Sequence, residues 1–214
     1  MNVTILGSGN MARAIAARLL AGGNNVTLLS RTPDKAASHI KELAPLAAKG
    51  AIVKVAAQGS PISDSVVINS IWYPAVLDVV SSYGKQLDGK ILVDITNPLN
   101  QTFDDLATPP GTSAAEEIAR VAPAGTKVVK AFNTTFAGLL AQGNVAGQPL
   151  DVLMAGDDEQ AKATVAKLVE DGGQRALDAG PLKRARQLEG LGLLSIVLQS
   201  KLAKPWMSGV KIVS

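Results

Sequence analysis

Cysteine is absent from this 214-residue chain, and histidine occurs once, as His39. The first absence excludes a disulfide scaffold, a thiolate metal site and a cysteine nucleophile. The second leaves no multi-histidine metal site. Aromatic residues make up only 3%, so the core has to be filled by Ala, Val, Leu and Ile, the usual content of a layered fold with buried parallel strands. The 21 basic and 18 acidic residues leave a net charge of +3 and are dispersed, unlike the concentrated basic footprint of a nucleic-acid binder. Long hydrophobic runs are also missing. The most apolar stretch near the end, Leu188 to Leu198, is broken by Gly190, Gly192 and Ser195 and falls short of the roughly 18 to 20 residues that span a bilayer. Met1 to Gly7 reads as a strand meeting a glycine turn and not as a signal peptide. These readings lead to the expectation of a cytoplasmic protein with neither a membrane nor a nucleic-acid partner.

What the chain has is alternation. Short β-branched runs at Val3–Leu6, Val26–Leu29, Ile52–Val55, Val66–Ile71, Ile91–Ile95, Val128–Phe132 and Leu150–Met154 read as strands. Helical segments are expected between them at Asn10–Ala21, Asp34–Ala48, Pro74–Gln86, Ser113–Val121 and Asp158–Glu170, the last behind an Asp157–Gln160 capping box. Because strand–helix–strand crossovers are right-handed, this order predicts an α/β fold, a Rossmann-type doubly wound parallel sheet. It would occupy residues 1–149. Residues 150–214 would add a small strand–helix–strand unit and a long helix from Pro181 to about Lys201, whose stripe of Leu188, Leu191, Leu194 and Leu198 suits a dimer interface. Gln101–Thr112, with Pro109, Pro110 and Gly111, is a loop by composition.

Directly after the first strand stands Gly7-Ser8-Gly9-Asn10-Met11-Ala12, a Gly-x-Gly-x-x-Ala dinucleotide fingerprint. Gly7 permits the turn, Gly9 lets backbone N–H groups reach a pyrophosphate, and Ala12 lets the helix pack closely. Gly7, Ser8, Gly9, Asn10 and Met11 are therefore the expected pyrophosphate site. At the end of strand two, where a carboxylate would hold an unmodified ribose, the chain instead places Ser30, Arg31 and then Lys35. A hydroxyl and two cations suit a 2'-phosphate, so NADP is expected over NAD. Ile71 and Trp72, at the end of strand four, should flank the cofactor. The ends of strands five and six, Asp94–Pro98 and Lys130–Thr134, should face the same crevice.

The chemistry is constrained by what this crevice lacks. A dehydrogenase of alcohols needs a proton-transfer group near neutral pKa, yet His39 falls on the adenine side, and Tyr73 and Lys130, which remain candidate acids, belong to no Tyr-x-x-x-Lys or Lys-Asp pair at the expected spacing. An acceptor that is itself a hydride carrier, such as a flavin or deazaflavin, would require only alignment of two rings.

These residues carry a family resemblance. Gly7–Ala12, Ser30-Arg31 with Lys35, Ile71-Trp72, Ala155-Gly156-Asp157-Asp158, Leu177–Leu182 and Arg186-x-Leu188-Glu189 together resemble the coenzyme F420-dependent NADP reductases. The resemblance implies NADP on the N-terminal sheet, a deazaflavin between that sheet and the C-terminal unit, and a homodimer. It also places Asn133, Thr134 and Ala137 near the nicotinamide, with Asn133 and Thr134 as the catalytic candidates. Where that family tends to carry His-Thr, this chain has Asn133-Thr134, which is similar to the ferric-reductase oxidoreductase domains that pass hydride from NADPH to flavin. The acceptor is accordingly open between F420, FMN and FAD. Gly9-Asn10-Met11-Ala12 is also how pyrroline-5-carboxylate reductases begin, and a non-catalytic NADPH-sensing module is the contrasting class.

Overall fold

The computed structural model describes residues 1–203 and 206–213. Eight strands form one sheet: β1 (Asn2–Leu6), β2 (Asn25–Ser30), β3 (Val53–Ala57), β4 (Val66–Asn69), β5 (Ile91–Asp94), β6 (Lys127–Lys130), β9 (Asp151–Gly156) and β10 (Arg175–Asp178). A separate hairpin consists of β7 (Asn144–Val145) and β8 (Gln148–Pro149). The spatial order is β3-β2-β1-β4-β5-β6-β9-β10. From β3 through β6 every pairing is parallel, as in the doubly wound dinucleotide-binding sheet. Only β9 runs against its neighbour β6, with Val129 opposite Gly156 and Lys130 opposite Ala155. The strands expected beyond residue 150 therefore extend the first sheet.

Alternation of side chains explains the layering. Val3, Ile5, Val66, Ile68 and Val93 face one core, whereas Leu6, Val67 and Leu92 face another. The first is closed by α1 (Asn10–Ala21) and α7 (Glu159–Asp171), the second by α4 (Tyr73–Tyr83) and α5 (Ala114–Val121). Burial on both faces is why these strands read as continuous apolar runs.

Several local expectations change. The helix expected over Asp34–Ala48 is broken into α2 (Pro33–Ala36) and α3 (Ser38–Leu43), followed by a 3-10 turn over Ala44–Leu46. Pro45 lies in that turn and supplies no N–H to continue the ladder. The cap of α7 is Asp158, whose carboxylate accepts from the Ala161 N–H at 2.8 Å, while Asp157 accepts from the Leu182 N–H at 2.8 Å. The long final helix opens with a 3-10 turn over Leu182–Arg184 and becomes α8 (Ala185–Val197). A short helix, α6 (Ala137–Gln142), was not expected. It ends at Gly143 in the left-handed conformation, a common C-terminal stop.

Candidate functional site

The glycine turn is shaped by two different demands. Gly7 has φ +112°, and a Cβ there would lie 2.6 Å from the Ser70 carbonyl oxygen, so the close approach of the β1 and β4 ends admits no side chain. Around the place a Cβ of Gly9 would take, nothing lies within 4 Å. Gly9 therefore leaves open space at the start of α1. The first turn of α1 has neither a side-chain cap nor an acidic residue. Its N–H groups and the positive end of the helix dipole are left for an anion, which fits the pyrophosphate of a dinucleotide.

Ser30 braces this turn from the neighbouring strand. Its hydroxyl meets the Ser8 hydroxyl at 2.9 Å and accepts from the Thr32 N–H at 3.1 Å. Arg31 and Lys35 are exposed. The nearby acidic group Glu42 is taken by Arg13 at 3.0 Å, so neither Arg31 nor Lys35 has a carboxylate partner among the described residues.

Beyond the turn lies a cleft of about 580 Å³ at the carboxyl ends of β1, β4, β5 and β6. Ser70, Thr96, Asn97, Asn133 and Thr135 give it a few polar groups, and the rest is apolar. The chain has two Trp, two Tyr and three Phe, and all of these but Tyr83 line the cleft. Trp72 and Phe103 meet at 5.9 Å between ring centroids, and Phe136 and Trp206 meet edge to face at 5.1 Å. Among the described residues five non-glycines have positive φ, and three of these, Phe103, Phe132 and Trp206, are aromatic residues of the cleft. Bulky side chains enter that conformation only when surrounding structure holds them there, and such positions gather at ligand sites.

The polar frame behind the rings is tightly bonded. Asn133 Nδ2 donates to Asn97 Oδ1 at 2.9 Å and to the Leu188 carbonyl at 2.8 Å, while Asn97 Nδ2 returns a bond to the Asn133 carbonyl at 2.8 Å. The Leu188 carbonyl can only accept, which fixes the orientation of the amide. Asn133 Oδ1 and Thr135 Oγ1 are buried without a partner among the described residues. A Cβ on Gly192 would lie 2.3 Å from Asn97 Oδ1, so α8 can pack on this frame only with glycine there.

Below the frame Lys130, fully buried, places Nζ 2.8 Å from Asp94 Oδ2 and 2.8 Å from Glu189 Oε1 and donates to the Thr96 carbonyl. Glu189 also accepts from the Ala114 and Ala115 N–H groups at 3.0 and 3.3 Å, capping α5. Burial works against the Lys130 charge, but Asp94 and Glu189 outweigh it and raise its pKa. Burial likewise pushes the Glu189 carboxyl up, opposed by Lys130. Every contact of its oxygens is a donor, and we therefore read it as the carboxylate. This cluster ties β5, β6, α5 and α8 into one block.

The groups able to move a proton are thus occupied. Tyr73, the titratable side chain among the described cleft residues, donates to Glu117 Oε2 at 2.7 Å, and burial followed by that bond raises its pKa. Lys130 is locked in its cluster, and His39 lies beside Glu42 at 3.9 Å, away from the cleft. The described residues include no group of His, Asp or Glu able to hold a metal ion.

Of the residues singled out from the sequence, Gly9, Asn10, Met11, Ile71, Trp72 and Asn133 line the cleft. Gly7, Ser8 and Ser30 form the turn behind it, and Arg31 and Lys35 stand outside. Thr134 is buried and Ala137 half-buried, and Thr135 and Phe136 take the places on the wall. Sequence reasoning missed Phe103, Phe136, Ile196 and Trp206. The scarcity of aromatics was the available signal, since so few rings gathered at one place are conspicuous only when each is asked what it covers.

Fold and site together define a nucleotide-dependent oxidoreductase of the Rossmann class. Comparison with known proteins makes the assignment specific. Residues 2–98 match the family described as NADP oxidoreductase, coenzyme F420-dependent. The F420-dependent NADP reductase of Methanocaldococcus jannaschii is 32% identical over 213 residues, covering 94% of this chain and 93% of that one. The chain belongs to this family and is an NADP-dependent oxidoreductase. Metalloreductase STEAP3 of Rattus norvegicus is 36% identical over 191 residues, 89% of this chain, and the match spans 36% of that relative's length. A solved structure from Arthrobacter sp. FB24, described as a candidate F420-dependent NADP reductase, superposes with a TM-score of 0.84 at 30% identity over 100% of both chains. The pyrroline-5-carboxylate reductase of Coxiella burnetii, at 14% identity and a TM-score of 0.63 over 94% of this chain and 69% of that one, shares the fold alone. No helix of the described residues is long and apolar enough to cross a membrane.

Proposed function

We propose that this protein passes hydride between NADPH and a ring acceptor of the deazaflavin type, F420, with the flavins FMN and FAD as the same class of occupant. The observation that carries the reading is the gathering of six of the chain's seven aromatic side chains on one cleft. A cleft lined by flat rings favours a flat ring as its occupant. The occupied state of Tyr73 and Lys130 supports it further, because exchange between two hydride carriers asks the protein for alignment and exclusion of water and not for a positioned acid.

When bound, the nicotinamide supplies the hydride. In this reading the backbone from Gly7 to Met11 holds the pyrophosphate, and Arg31 and Lys35 hold the 2'-phosphate beside the turn that Ser30 braces. Ile71 and Trp72 flank the nucleotide. Asn133 Oδ1 and Thr135 Oγ1, the two orphaned polar atoms on the cleft, suit a carboxamide, which offers both a donor and an acceptor. Thr134 and Ala137 support this end. Residues 150–214 complete the acceptor side, and the exposed Leu194, Val197, Leu198 and Leu202 are the surface on which a homodimer would form, testable by sedimentation at several concentrations.

The deciding experiment is anaerobic oxidation of NADPH with F420, FMN, FAD and pyrroline-5-carboxylate offered separately. Rapid reduction of one ring system is the expected result. Tight NADPH binding with no ring reduced would overturn the reading in favour of a nucleotide sensor.

A further inference from the structure

Trp206 reaches the cleft at one end of a segment that runs along α6 to the start of β9. It keeps φ +64° while its N–H donates to Gln199 Oε1 at 2.6 Å, and buried Gln199 also donates to the Ser195 carbonyl and to Ser208 Oγ. Gly209 then pairs with Thr135 in an antiparallel bridge. A Cβ on Gly209 would lie 2.7 Å from Leu139 Cδ2, and one on Gly138 would lie 2.8 Å from Met207 Sδ, so the segment lies flush against α6. It ends on Asp151, whose side chain has 0% exposure. Asp151 accepts from Lys211 Nζ at 2.6 Å, from the Ile212 N–H at 2.8 Å and from Arg175 through two nitrogens at 2.8 and 2.6 Å, and Arg175 also donates to the Ile212 carbonyl. A buried carboxylate at the start of β9 thus directs half of its bonding to a segment about 60 residues further along the chain.

We infer that residues 206–213 form a fixed strap that makes Trp206 the specificity-determining wall for the acceptor ring, with Asp151, Arg175 and Lys211 as positioning residues that hold it in place. The inference rests on the ring-acceptor reading and deepens it. The strap is held from outside the cleft, because neither Lys211 nor Asp151 lines it. Trp206 gains its position from Phe136 on one side and the Gln199 bond on the other. Its strained backbone would relax if the far end were released, and the edge of the ring site would move with it.

The reporter is intrinsic fluorescence in a Trp72→Phe background, where Trp206 is the remaining tryptophan, titrated with oxidised F420, FMN and riboflavin in the absence of NADPH. One of these rings should quench Trp206, and adding Lys211→Ala should weaken that binding about fivefold, the scale of one lost ring contact. In the otherwise unchanged protein, Trp206→Ala should raise KM for the same ring by about tenfold and KM for NADPH by less than about twofold. Lys211→Arg, which keeps the cation, should restore binding. Failure of all three rings to quench Trp206, or parental ring binding in both Lys211→Ala and Trp206→Ala, would overturn the inference. Quenching without turnover would sink the hydride reading and leave the strap standing; turnover without quenching would do the reverse.

Discussion

The two walls of the cleft are built by different means. The wall proposed for the nucleotide is mostly backbone, from Gly9 to Met11 beside the strand end at Ser30–Arg31, with Gly7 small because the β4 end lies too close and Gly9 leaving open space. The wall proposed for the acceptor is mostly side chain, with Phe103, Phe136, Ile196 and Trp206 delivered from segments far apart in sequence. A phosphate-bearing nucleotide can be held by N–H groups that any sequence with the right glycines presents, whereas a flat apolar ring needs surfaces that only tertiary packing assembles. The first wall should therefore be broken by single local changes, and the second by changes that undock α8 or the strap.

The largest effect should come from the block under the acceptor wall. Glu189→Ala would leave Lys130 buried with one carboxylate and strip the Ala114 and Ala115 N–H groups of their acceptor, which should cost about 3 to 5 kcal/mol. The check is chemical denaturation, and a loss below about 1 kcal/mol would show that α8 docks without the cluster. On the nucleotide wall, Arg31→Ala should weaken NADPH by about 1.5 to 3 kcal/mol with little change for NADH. Equal losses for the two nucleotides in a titration would remove Arg31 from the 2'-phosphate site.

Acid should act on the strap side. Burial raises the Asp151 pKa, but the bonds from Arg175 and Lys211 outweigh it and bring it down to about 2. A carboxyl held below its unfolded value near 3.8 contributes stability that is complete above that value and lost as the pH falls toward 2. The loss should be on the order of 2 kcal/mol. Lys211→Ala should flatten that part of the stability curve measured by denaturation between these limits, and an unchanged curve would exclude Asp151 as its source. The smallest effect sharpens the comparison where the walls meet. Asn133→Ala should lower turnover by about tenfold, roughly 1.4 kcal/mol, with NADPH affinity nearly unchanged. Unchanged turnover would place Asn133 outside the site.

The legible part of this protein is the part governed by short-range rules. The strand–helix alternation, the turn at Gly7–Ala12 and the convergence of the ends of β4, β5 and β6 follow from side-chain periodicity, from glycine's freedom and from the handedness of crossovers. The break at Ala37 carries no side-chain cap that would mark it, and the one-residue shift of the α7 cap was missed because Asp157 is drawn to the Leu182 N–H, 25 residues further along, which leaves Asp158 as the cap. The stripe of the last helix was read as uniform, yet Leu188 is buried while Leu194 and Leu198 are exposed. Period alone gives a face, and where a partner stops covering that face depends on how far the sheet extends beneath it.

By itself, then, the sequence determined the doubly wound sheet, the glycine turn after the first strand and the family, because each rests on residues that are neighbours along the chain or repeat at a fixed period. The tertiary structure alone decided that β9 runs against β6, that Lys130 meets Glu189 59 residues away, and that Phe103, Phe136 and Trp206 surround one space. These are contacts between distant segments, specified by complementary shape and charge once the sheet exists, and no local pattern encodes them.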